Sequence, residues 1–169
     1  MKQNFLIMYL LIAGVQLLVC NYFHISSYIV LSLLPAAVFF LPTGIGTAAA
    51  MFIAFATGLS VDLLAEGVLG LNALALVPVA ASRRFLRDAV FGKELSVSGE
   101  DISMRKYGVG KVSFAMMVSQ SVFLIIYLWA DGAPARPALF NVLRFLSSLV
   151  AGTLVSLAIA HLLDPNERK

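Results

Sequence analysis

The chain has 169 residues, 60% hydrophobic and 12% charged, with a formal net charge of +3. Soluble domains average about 45–50% apolar and about 25% charged, so a water-soluble globule of this size, which could not cover so much apolar surface, is excluded. The single cysteine, Cys20, excludes a disulfide framework and, inside an apolar run, reads as a small hydrophobe.

A membrane-crossing helix needs about 20 predominantly apolar residues. In chain order the apolar runs are 5–20, 24–41, 45–64, 68–82, 112–130 and 138–163. The first has only Lys2 before it and no small-residue cleavage site, so it reads as a retained helix rather than a signal peptide. The second carries Pro35 and stops at Pro42, which predicts a broken or tilted crossing. The fourth is short unless it continues to Arg87, with its arginines snorkelling to the headgroups.

The pattern predicts an all-α integral membrane protein of about six transmembrane helices, a single polytopic domain over 1–169. With six crossings, one face holds Lys2, Arg83, Arg84, Arg87, Lys93, Arg105, Lys106, Lys111, Arg168 and Lys169, and the other only Arg136 and Arg144. Lysine and arginine are retained in the cytoplasm, so both termini and the polar segment 83–111 are expected there. The start of that segment, RRFLRDAVF, reads as a helix end with positive flanks or as an interfacial helix on anionic lipid.

The third run holds a small-residue row, Gly46, Ala50, Ala54 and Gly58, ending at Asp62. Every fourth residue stays near one helix face, and small residues there let a second backbone approach closely. That partner is either another helix of this chain or a different protein. A carboxylate at membrane depth faces protein or water, not lipid. Gly67 and Gly70 then permit a tight turn, and Asn72 enters the next run with an amide that needs a partner. Asp62 is therefore expected to be a structural acceptor, bonded to backbone amides or to Asn72 across the hairpin, and Asn is expected to replace it with little loss. No nucleophile, acid–base pair or metal-ligand set accompanies it in the sequence. His24 and His161 stand alone near opposite faces and read as interfacial.

In this hairpin the sequence resembles the MreD family of rod shape-determining membrane proteins. Gly58, Leu59 and Asp62 match a G-L-x-x-D segment, and Leu69, Gly70, Ala73, Leu74, Ala75 and Leu76 match the L-G-x-x-A-L-A-L that follows the glycine turn. The matched stretch covers roughly a ninth of the chain. The resemblance implies a non-enzymatic scaffold of cell-wall elongation in a bacterial inner membrane. It implies an MreC-like protein, an MreB-like filament, a RodA-like glycosyltransferase and a penicillin-binding transpeptidase as partners, with no cofactor, metal or nucleic acid. The family is also similar in fold to substrate-binding subunits of energy-coupling vitamin transporters. That similarity makes a small-molecule-binding transporter subunit the main alternative. Such a subunit would converge polar groups at one depth, and the candidates are Asp62, Asn72, Gln120, Asn141 and Arg144. A lipid-modifying enzyme, the third reading, lacks a visible catalytic set.

Overall fold

A computed structural model describes residues 2–22, 29–66, 68–92, 102, 104–132 and 136–163. Among them all regular structure is helical. The elements are α1 (Lys2–Tyr22), α2 (Leu34–Phe39), α3 (Thr47–Val61) with a π-helical extension (Asp62–Glu66), α4 (Leu71–Phe91), α5 (Met104–Tyr107), α6 (Val109–Ala130) and α7 (Ala138–Leu163).

Three helical stretches are long and apolar enough to cross a membrane: Thr47–Ala65, Val109–Ala130 and Ala138–Ala158, of 19, 22 and 21 residues. At about 1.5 Å per residue each reaches roughly the 30 Å of a hydrocarbon core. The chain is thus a helical membrane protein. Large apolar side chains on the outer faces, among them Phe52, Trp129, Leu139 and Leu154, are exposed, as lipid-facing positions are. In α1 the apolar stretch is the shorter Tyr9–Cys20.

Helix α4 lies between α3 and α6, and α6 packs in turn on α7. The second apolar run is not one helix. Of its described residues, 29–33 carry no regular structure and Leu34–Phe39 is helical, with Pro35 in its first turn, where a missing N–H removes no helical bond. Every residue of α2 is buried. Irregular backbone at membrane depth survives only where protein satisfies its polar groups, and here side chains do so. Val30 N–H donates to Ser148 Oγ at 2.8 Å. The Gln16 side chain accepts from Leu33 N–H at 2.7 Å and donates to the Leu31 carbonyl at 3.3 Å. Gln16 on α1 and Ser148 on α7 thereby tie the broken segment to both neighbours.

Two corrections concern the segment expected as a polar loop over 83–111. Helix α4 runs on to Phe91 and α6 begins at Val109, so the connection spans 92–108 and includes the short α5. RRFLRDAVF holds no helix breaker before Gly92, and Arg83 and Arg87, one helical turn apart, share α4's inward side. Both are buried, at 2% and 7% exposure, so neither snorkels outward.

Candidate functional site

The last turn of α3 widens into a π-helix at Asp62, a form that occurs mostly as single turns, frequently at functional sites. Helix α4 begins after Gly70, whose φ of 91° is left-handed and suits glycine. As the N-cap residue Gly70 offers no side chain to the free N–H groups of the first turn. Asp62, from the preceding helix, fills that role. Its Oδ1 accepts from Asn72 N–H at 2.9 Å and from Asn72 Nδ2 at 3.0 Å. Its Oδ2 accepts from Gly70 N–H at 3.0 Å and from Ala73 N–H at 3.2 Å. The carboxylate is fully buried and sits at the positive end of the α4 dipole.

A carboxylate has about four acceptor positions, and four donors occupy them. The arrangement locks one helix end to the next and leaves no acceptor for a substrate. It also corrects the expectation that Asn would serve as well. Both oxygens accept backbone N–H groups, so an amide would turn its NH₂ toward donors on one side.

One turn before Asp62, Gly58 brings the two backbones together. A Cβ there would lie 2.6 Å from Ala73 Cα and N, and 2.9 Å from the Asn72 carbonyl carbon. Ala50 and Ala54 are fully buried on the same face. The close partner of the row at Gly58 is therefore α4 of this chain. Gly46 departs from the pattern: it is the exposed N-cap of α3, with open space where its Cβ would be. Gly67, His24 and the side chain of His161 lie outside the described residues.

Of the polar candidates, Asp62 and Asn72 meet through hydrogen bonds. Gln120 is fully buried against the backbone of Gly152 in α7, and its amide nitrogen and oxygen have no hydrogen-bond partner among the described residues. Arg144 pairs with Asp131 at 2.6 Å. Arg136 joins the same carboxylate at 3.0 Å, closing the α6–α7 turn. Burial alone would raise the Asp131 pKa, but its bonds to Arg144 and Arg136 outweigh that and hold it below the usual carboxylate value.

A second constellation escaped the linear pattern. At the end where α3 starts and α4 finishes, a cleft of about 210 Å³ lies between the 43–47 loop and Arg83, Arg84 and Arg87. The Arg83 guanidinium donates to the carbonyls of Leu41 and Pro42, fixing the loop against α4. The available signal was the spacing of Arg83 and Arg87 by one helical turn, but positive-inside flanks look the same in sequence. Comparison with protein-family models, curated proteins and solved structures finds no match.

Proposed function

We propose that this chain is a non-enzymatic scaffold of a bacterial inner membrane, an MreD-like organiser of cell-wall elongation. The observation that carries the reading is the hairpin clamp. The carboxylate of Asp62, at membrane depth, uses its acceptor capacity inside the chain, on the Asn72 side-chain amide and the backbone N–H groups of Gly70, Asn72 and Ala73. It is the same G-L-x-x-D and glycine-turn segment on which the family resemblance rests. A binding subunit would need polar groups converging on a pocket. Here Gln120 lies against Gly152 and Arg144 pairs with Asp131.

In this reading the chain makes six crossings with both termini in the cytoplasm, the half-helical 29–41 segment counting as the second. Its partners are an MreC-like protein, an MreB-like filament, a RodA-like glycosyltransferase and a penicillin-binding transpeptidase. The test is co-purification of the full chain from its native membrane in mild detergent, followed by identification of bound proteins and small molecules. An MreC-like protein held in stoichiometric amount is the expected result. A bound vitamin-like molecule with no wall-synthesis partner would move the assignment to a transporter subunit. Topology has its own test. With Cys20 replaced by Ser, a cysteine at position 100 should resist a membrane-impermeant reagent added outside the cell, and one at position 133 should react.

A further inference from the structure

We propose that the seam between α6 and α7 at Gln120 and Gly152 binds the hydroxyl group of an uncharged membrane lipid, a diacylglycerol being the simplest example. Gln120 stands at the middle of α6 and is fully buried, yet neither its amide nitrogen nor its amide oxygen has a hydrogen-bond partner among the described residues. The amide lies in a notch on α7. A Cβ at position 152 would come within 2.4 Å of Gln120 Nε2 and 2.8 Å of its Cδ. Glycine thus leaves room for the amide but no side chain for it to bond. An amide without partners in an apolar seam costs about 1–3 kcal/mol, and a leucine would fill a similar volume without that cost. A polar residue here points to a polar ligand.

The surrounding face has the matching character. In the α7 crossing the buried residues are Ser148, Gly152 and Ser156, one turn apart on one face. Ser148 holds the non-helical segment through Val30 N–H. In that segment Ser32 Oγ is a second buried polar atom with no hydrogen-bond partner among the described residues. The buried polar residues of α6 and α7 among those described, Ser119, Gln120, Ser148 and Ser156, are all uncharged. A charged headgroup would find no counter-ion in this seam and would lose its hydration. A hydroxyl carries one donor and two acceptor positions, so it can donate to Gln120 Oε1 while accepting from Nε2.

Position selects the source of the hydroxyl. Gln120 lies inside a stretch long enough to cross the membrane, and Leu146, Val150 and Leu154 are exposed beside the buried face of α7. The seam is therefore flanked by lipid-facing side chains. Contact through serine and glycine buries little apolar area, so α6 and α7 part there at small cost. A lipid hydroxyl enters between them while its chains stay among the outer leucines.

The test uses the full chain in micelles of a hydroxyl-free amine-oxide detergent with increasing mole fractions of dioleoylglycerol or its O-methyl ether, with thermal stability as readout. Dioleoylglycerol should stabilise the wild type saturably, and the ether, which cannot donate, should not. Gln120→Leu should raise the mole fraction at half-saturation about tenfold, the loss of two hydrogen bonds. Ser121→Ala, which removes a hydroxyl bonded within its own helix to the Met117 carbonyl, should leave it unchanged. If Gln120→Leu does not fold, Gly152→Ala decides: its methyl displaces the amide from the notch and should raise half-saturation about threefold. Half-saturation equal to wild type in the deciding variant would overturn the proposal, as would equal stabilisation by the alcohol and its ether. Saturable stabilisation by glycerol alone, abolished by the same variant, would overturn the lipid assignment in favour of a water-borne polyol.

Discussion

Replacing Gly58 by Ala adds one methyl group at the tightest point of the α3–α4 hairpin. Its Cβ would stand 2.6 Å from Ala73 Cα, whereas carbon contacts settle at about 3.5–4.0 Å. The neighbours are backbone atoms, so no side-chain rotation can relieve the clash, and the helices must part by about 1 Å. The four bonds to Asp62 lie one turn away and measure 2.9–3.2 Å. A displacement of that size stretches some of them past hydrogen-bond range. Overpacking costs about 1–3 kcal/mol, and a lost bond to a charged acceptor adds about 1.5–3 kcal/mol. The better helix propensity of Ala offsets at most about 1 kcal/mol, so a net loss of about 2–5 kcal/mol is expected. Pulse proteolysis across a dodecyl sulfate titration of the protein in mixed micelles would measure it. Gly152→Ala is the control, because its new methyl would meet the movable end of the Gln120 side chain; a loss below about 1 kcal/mol is expected there. A Gly58→Ala protein as stable as wild type, or no less stable than Gly152→Ala, would refute the close-contact reasoning.

Asp62→Asn should destabilise the protein in the same titration, since two buried N–H groups lose their acceptor at about 1–3 kcal/mol each; Asp62→Leu should lose more, and indistinguishable values would mean the clamp is not formed. Asn72→Ala removes a side-chain donor while its backbone bond to Asp62 remains, so a loss of only about 0.6–2 kcal/mol is expected. The Asp131 pairs should support the fold fully above the ordinary carboxylate pKa of 3.8 and fade as pH falls through the lowered folded value. Thermal melts of wild type and Asp131→Asn should therefore differ at pH 6 and converge in strong acid. The difference should stay small, because the carboxylate is 27% exposed and solvent screens it; a gap that widens in acid would reverse the sign of the argument.

Membrane character was legible in the sequence because it is a sum over local composition. No neighbour needs to be known to see that 45–64, 112–130 and 138–163 are apolar, and α3, α6 and α7 carry the three candidate crossings. The Asp62–Asn72 bond was legible for a related reason. Ten residues and a glycine turn separate them, so the hairpin brings acid and amide together whatever surrounds it. The broken second run was foreshadowed by Pro35 and Pro42, whose effect on the backbone is local. Long-range pairing was not legible. Arg83 finds its acceptors at Leu41 and Pro42, about forty residues back in the chain, and that depends on how α2 is laid beneath α4. Arg144 finds its partner in Asp131 because α6 packs on α7. The small-residue row likewise could not show that Gly58 meets backbone while Gly46 meets nothing. The sequence by itself determined which segments leave water and where one helix must turn into the next. Tertiary structure alone decided which face of each helix turns inward, because in lipid both faces are apolar and only close packing and polar partners distinguish them.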